Sequence, residues 1–388
     1  MKCLVYDWDN YMSADLSEML NDYGIEHDEI RWKFADNECD DAFLDWFEKN
    51  VDLNQYDFVI SINYWPLVAR MCHKYDRKYI AWCCDCPLNI EHEEETFSFP
   101  GNYIFLFDKK QHQDYKDMGM DRVYYLPLGV NAARVKRYRF DERLKSKYEA
   151  DISFVGRLYE SQLPYIKAGL AEATSNVLDE IVSVQEKIYG QNIIKQCVTS
   201  GLIDTMNADY LASAEDEKQA LQVNKRAVEW ALNAETTRRN RLLLLNLFGR
   251  RYKTYLYSNQ TFDKLEGVKK CGSCNYYTEM PYVFHFSKIN LNPNLRAIET
   301  GISLRAFDIM GYGGLLLSSY QEELANMYEH EKDCLIYKSY EEALELADYY
   351  LKNDDKREKI ALSGREKTLT ENTLQKRFAE IAKIAGIE

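Results

Sequence analysis

Residues 287–319 read SKINLNPNLRAIETGISLRAFDIMGYGGLLLSS, and this stretch decides the fold. Lys288–Asn292 is strand-like and ends in Asn290-Leu291-Asn292. After a polar loop, Thr300-Gly301-Ile302-Ser303 opens a short helix that stops at Gly311. Gly313 and Gly314 then lead into a second apolar run, Gly314–Ser318. A strand, a helix and another strand in one short stretch form the repeating unit of a parallel sheet with helices on its faces.

The same alternation extends outward in both directions. Strands are predicted at Lys2–Asp7, Asp57–Asn63, Lys78–Asp85, Tyr103–Asp108 and Arg122–Gly129, with amphipathic segments between them at 12–22, 40–49, 66–75 and 109–118. A second series contains Asp151–Gly156, Lys253–Ser258, Lys288–Asn292, Gly314–Ser318 and Asp333–Tyr337. The fold class is therefore α/β, with two doubly wound Rossmann-like domains. The predicted domains are 1–131 and 151–370, joined by a basic linker at 132–150. A helix at 371–388 is placed to pack back on the first domain. A helical insertion occupies about 160–249; within it Ser213 and Asp216 resemble a capping box, and Gly249 a helix stop. Ligands of such sheets bind beyond the carboxyl ends of the strands, here in a cleft between the domains.

Composition narrows the function. The 388 residues carry 49 Lys+Arg against 63 Asp+Glu, a net charge of −14 that disfavours nucleic acid as a partner. Only 17 Gly and 7 Pro are present, which excludes collagen-like and proline-rich classes. The apolar run at the amino terminus ends at Asp7, too short for a signal-peptide core, and no run approaches the roughly 18 residues of a membrane span. A cytoplasmic protein is expected. Cys83, Cys84 and Cys86 with Cys271 and Cys274 raise the possibility of zinc, but only Cys271-Gly-Ser-Cys274 has ligand-like spacing. Free thiols, and no metal or other cofactor, are the expectation.

The opening of the 304–311 helix has two readings. In one, free N–H groups and the helix dipole cradle a phosphate, Arg305 adds a bidentate contact, and Asp308 accepts two ribose hydroxyls. In the other, Arg305 and Asp308 form a surface ion pair and the glycines punctuate turns.

The chain resembles the spore-maturation CgeB-like glycosyltransferases, a branch of the group 1 enzymes with the GT-B fold. The resemblance rests on Ser61-Ile62-Asn63-Tyr64-Trp65-Pro66, Trp82-Cys83-Cys84-Asp85-Cys86-Pro87, Asn102–Asp108, Tyr124–Asn131, Ile152–Gly156, Glu279-Met280-Pro281, Lys288–Asn292 and Gly301–Leu317. It implies transfer of a sugar from a nucleotide-sugar donor to an acceptor not specified by the sequence: protein, glycan or lipid-linked; a UDP-linked donor is expected because such donors are common. The donor-binding candidates are Arg157, His285, Asn290, Asn292, Gly301, Ser303, Arg305, Asp308, Gly313 and Gly314. The wider group has Glu at the position of Asp308 and often a second Glu where this chain has Thr300. Such enzymes use cationic side chains and a helix dipole, not a metal, to stabilise the departing diphosphate.

In the first half, strand ends carry Asp7, Asn63, Tyr64 and Asp85. Asp85 is the catalytic candidate on the acceptor side; Asp7, Asn63, Tyr64 and His92 are further acceptor-side candidates. A structural alternative for Asp85 is capping the turn before Pro87. Asp7-Trp-Asp9 also invites a metal-binding Asp-x-Asp reading and a haloacid-dehalogenase-like phosphatase reading with Asp7 as nucleophile; Asn10 and Tyr11 depart from the latter pattern. A non-catalytic nucleotide- or glycan-binding protein is the remaining alternative. The basic stretches Arg134–Arg139 and Arg238–Lys253 are candidate contacts to an anionic acceptor or a membrane surface, or else solvated helix faces.

Overall fold

A computed structural model describes residues 1–388 except Asn89 and residues 261–264, with Glu217 described by its backbone alone. Its contacts divide the chain into two units. The first comprises Met1–Arg137, Gly301–Phe307 and Leu369–Glu388, and the second Tyr138–Thr300 and Asp308–Thr368.

In the first unit, β1 (Lys2–Asp7), β2 (Glu26–Arg31), β3 (Phe58–Ile62), β4 (Lys78–Trp82), β5 (Asn102–Leu106) and β6 (Val123–Tyr125) form a parallel sheet in the order β2-β1-β3-β4-β5-β6. The central strands are continuous apolar runs because helices cover both faces; β3, Phe-Val-Ile-Ser-Ile, is buried throughout. The edge strand β2 (EHDEIR) escapes sequence reading because it has no apolar pattern. Charged side chains on an edge discourage pairing with another chain. The helix Leu374–Ala385 buries Phe378 and Ile381 in this unit, and the Leu374 N–H donates to the Val130 carbonyl at 2.9 Å.

In the second unit, β7 (Ala150–Val155), β8 (Thr254–Tyr257), β9 (Val268–Lys270), β10 (Ser287–Asn292), β11 (Leu316–Ser319) and β12 (Leu335–Tyr337) form a parallel sheet in the order β9-β8-β7-β10-β11-β12. Strand order reverses between β7 and β10 here, and between β1 and β3 in the first unit. Crevices at such switch points are where open α/β sheets take ligands.

The insertion is helical and has its own small core around Leu178, Val182, Met206 and Leu232. Its long helix starts at Lys225, not at Ser213, which ends the preceding helix Ser200–Ser213. The cap is Asn224, whose side chain accepts from the Ala227 N–H at 2.8 Å. Gly249 lies inside the last turn for lack of space: a Cβ there would sit 2.4 Å from the Glu266 carbonyl oxygen.

The basic stretches are tied into their own units. Arg134 and Arg137 pair with Asp15 and Glu18, Arg238 and Arg239 with Glu235, and Arg250 with Glu266. Arg241 is buried with its guanidinium over the Phe154 ring. Among the described residues, no helix is long and apolar enough to cross a membrane.

Glu235 gives a pH expectation. Burial pushes its carboxyl up, but bonds from Arg238, Ser161 and Arg239 outweigh that and hold it at about 2, below the ordinary glutamate value of about 4.5. A depressed carboxyl stabilises the fold above its unfolded value, and the contribution is lost as pH falls from about 4.5 towards 2. A shift of that size corresponds to roughly 3 kcal/mol. The second unit should need less urea to unfold as pH falls through this window, and Glu235→Gln should flatten the slope. An unchanged slope in the variant would contradict this assignment.

Candidate functional site

The carboxyl edge of the second sheet is built from the ends of β7, β8, β9, β10 and β11. After β7 the chain turns at Gly156, and the exposed Arg157 follows. The turn is fixed from beneath. The Arg241 guanidinium donates to the Arg157 carbonyl at 2.5 Å, and Gln260 Oε1 accepts from the Leu158 and Tyr159 N–H groups at 2.7 and 2.9 Å. The Arg157 side chain has no partner among the described residues.

After β9 comes a loop that the sequence offers as the Cys271/Cys274 thiol pair and as the Glu279-Met280-Pro281 match. Asn275 Oδ1 accepts from the Tyr277 N–H, the Thr278 N–H and the Thr278 hydroxyl, all within 3.0 Å. The Glu279 carboxylate accepts from the Asn275 N–H at 3.1 Å and is held low chiefly by that bond, with help from Lys147 and Tyr148. This scaffold presents Tyr276, whose hydroxyl donates to Asp308 Oδ1 at 3.3 Å. Asp308 is only 2% exposed. A carboxylate on the second turn of a helix can accept both hydroxyls of a vicinal diol. Tyr276 is the site residue that sequence reading missed, because nothing in its own neighbourhood reveals a partner 32 positions away.

At the end of β10, Asn292 is fully buried: its Nδ2 donates to Ser318 Oγ at 3.1 Å, and the Ser318 hydroxyl returns a bond to the Asn292 carbonyl at 3.1 Å. It holds the ends of β10 and β11 together.

Other candidates lie elsewhere. Asn290 is interior: Oδ1 accepts from Ser153 Oγ at 2.8 Å and Nδ2 donates to the Phe284 carbonyl at 3.0 Å, so it ties strands and does not face a ligand. His285, Gly313 and Gly314 precede β10 and β11, which puts them at the amino edge of the sheet, opposite Asn292 and Arg157. His285 stacks on Phe140 at 3.8 Å, and burial lowers its basicity. Gly314 is there for packing: a Cβ would lie 2.5 Å from the Phe284 carbonyl oxygen.

Gly301, Ser303 and Arg305 pack with the first unit. The Gly301 N–H, expected to face a phosphate, instead donates to Asp108 Oδ2 at 3.1 Å. A Cβ at Gly301 would meet Asp108 Cα and Phe107 Cδ2 at 2.9 Å, so only glycine permits this approach. Ser303 and Arg305 are half-buried.

At the carboxyl edge of the first sheet, Asn63 adopts a left-handed conformation (φ 63°). Its Oδ1 accepts from the Cys84 and Asp85 N–H groups at 2.9 and 3.2 Å, and its Nδ2 donates to Asp85 Oδ2 at 2.6 Å. Asn63 thus positions the exposed Asp85 carboxylate. Asp7 is buried; its Oδ1 accepts from the Asp9 N–H, Asn10 Nδ2 and Ser13 Oγ, and its Oδ2 faces Arg31 at 3.2 Å. A carboxylate so engaged shapes the loop after β1 and is poorly placed as a nucleophile. Tyr64, expected on the acceptor side, is instead a core residue, 4% exposed, packed on Phe97 and bonded from Asn102 Nδ2 at 3.2 Å. His92 is exposed beside Glu94, 3.6 Å away. Cys83, Cys84 and Cys86 are buried and Cys271 and Cys274 half-buried. Among the described residues, no three metal-ligating side chains are grouped.

Residues 225–383, about two fifths of the chain, match a family described as glycosyl transferase-like. No curated protein sequence matches the chain. Among solved structures it is similar to HepE of Anabaena in complex with UDP-glucose, with a TM-score of 0.54 at 10% identity over 100% of this chain and 99% of that one. It is also similar to T4 phage BGT in complex with its UDP-glucose substrate, TM-score 0.52 at 10% identity and 99% coverage of both chains. Sucrose-phosphate synthase from Thermosynechococcus elongatus gives 0.52 at 10% identity, covering 99% of this chain and 98% of that one. At these identities the likeness is one of fold. The chain has the two-domain α/β architecture of GT-B proteins, a parallel six-stranded sheet in each unit.

Proposed function

We propose that this chain is a glycosyltransferase of the CgeB-like branch that moves a sugar from a UDP-linked donor to an acceptor without a metal ion. The observation that carries the reading is Asp308: a buried carboxylate, braced by Tyr276, on the helix between β10 and β11 and inside the segment that matches the glycosyl transferase-like family. It is suited to the ribose diol. The choice of uridine diphosphate is supported by the UDP-glucose complexes of two fold relatives. The resemblance gives Asp308 the ribose and Arg157 the diphosphate; the helix opening read from the sequence adds Ser303 and Arg305 to the diphosphate, and a strand-end position gives Asp85 the acceptor side.

In this mechanism the bond between the anomeric carbon and the diphosphate oxygen breaks, and UDP leaves with the electron pair. Cationic side chains offset the developing charge. The acceptor oxygen bonds to the anomeric carbon and gives up its proton, for which the Asp85 carboxylate, oriented by Asn63, is the candidate base.

Incubation with UDP-sugars in excess chelator should release UDP, slowly by hydrolysis and faster when a competent acceptor is present. UDP release that needs added magnesium would contradict the metal-independent mechanism. Nucleotide binding with no turnover in any condition would favour a non-catalytic binding protein.

A further inference from the structure

The loop after β1 and the loop after β3 flank the switch point of the first sheet, and each carries an aromatic ring that the mechanism above does not use. Trp8 and Trp65 both donate their indole N–H to one acceptor, the Ile62 carbonyl, at 3.0 and 3.1 Å. Their rings lie 5.8 Å apart, and both are half-buried. Tyr11, 39% exposed, belongs to the same place, since its hydroxyl reaches Cys84 Sγ at 3.5 Å. Beside these rings stand the exposed carboxylates of Asp9 and of Asp85, which Asn63 holds in place.

Two indoles locked by a shared carbonyl are rigid before any ligand arrives, so little side-chain freedom is lost on binding. Aromatic faces with carboxylates at their rim fit a molecule that has an apolar C–H face and hydroxyls around its edge, which describes a pyranose. A lipid tail would bring no hydrogen-bond donors to these carboxylates. A phosphorylated or acidic acceptor would meet like charge from Asp85, while Asp9 stands in the field of Arg31.

We infer that Trp8, Tyr11 and Trp65 form an acceptor subsite and that the acceptor is a neutral saccharide, stacked on these rings with hydroxyls directed to Asp9 and Asp85. The acceptor class rests on the glycosyltransferase reading; the binding site itself does not. In the transfer, a saccharide hydroxyl oxygen bonds to the anomeric carbon of the donor sugar, the bond from that carbon to UDP breaks, and the hydroxyl proton passes to the Asp85 carboxylate.

The test is calorimetry and saturation-transfer NMR on the full chain with cellobiose, maltose and lactose, and with a glucuronic-acid disaccharide as the anionic comparator. At least one neutral disaccharide should bind with millimolar affinity. Trp8→Ala and Tyr11→Ala should weaken it about tenfold, the size of loss expected for a stacking anchor, while Trp8→Phe retains it. Stabilisation of each variant by UDP should stay as in the parent protein. If Trp8→Ala does not fold, the exposed Tyr11→Ala decides. Absence of binding by every neutral disaccharide, preference for the acidic one, or affinity unchanged in Tyr11→Ala would overturn the proposal. A protein that binds saccharide but not UDP would leave this site standing and remove the glycosyltransferase reading instead.

Discussion

Arg134→Ala should cost the first unit about 3 kcal/mol of stability, near the lower end for stranding one partner of a buried ion pair. Arg134 makes a two-pronged pair with Asp15, Nε to Oδ1 at 3.1 Å and Nη2 to Oδ2 at 3.0 Å, and Asp15 is 1% exposed. Burial raises the Asp15 carboxyl, and Arg134 and Asn131 pull it back. The network reaches further. Asn131 Nδ2 also bonds Glu18 at 2.9 Å, and its Oδ1 accepts from Gln375 Nε2 at 2.9 Å, joining the carboxyl-terminal helix to the first helix. Urea denaturation followed by a probe in the first unit should show the loss. Asp15→Asn combined with Arg134→Ala should recover part of it, because no stranded charge remains. A loss below about 1 kcal/mol would mean that the pair behaves as an exposed one.

Asp308→Asn should weaken UDP binding by roughly ten- to a hundredfold, since charge-assisted hydrogen bonds contribute about 1.5–3 kcal/mol and 1.4 kcal/mol is a factor of ten. The substitution keeps the shape and leaves an oxygen to accept from Tyr276, so the fold should persist. The discriminating readout is the ligand: the parent protein should prefer UDP to 2′-deoxy-UDP, and the variant should lose that preference. Equal weakening of both ligands would assign Asp308 a purely structural role.

The fold was legible because most strands are continuous apolar runs, and burial on both faces demands that pattern. The exceptions are informative. β2 is all polar except Ile30 and pairs only at an edge; β9 has three residues, two of them Lys. Neither leaves a hydrophobic signature. For the site, residue type was readable but direction was not. His285, Gly313 and Gly314 carry the right chemistry near the right helix, yet residues that precede a parallel strand lie at the edge opposite those that follow it. Gly301 was readable as part of a helix opening, but not that its N–H would meet Asp108, 193 positions away. Tyr64 and Trp65 are neighbours in the chain, and alternation along the chain after β3 decided which became core and which stayed half-exposed.

Thermal unfolding of the full chain with increasing UDP is the most direct test of the central claim, that the second unit binds a uridine diphosphate through Asp308. A ligand that binds only the folded state stabilises it by about 2.7 kcal/mol at a hundred times its dissociation constant. The melting temperature should therefore climb with UDP concentration, and more steeply than with uridine alone. A melting temperature that does not move with UDP, UDP-glucose or any other nucleoside diphosphate would contradict the claim.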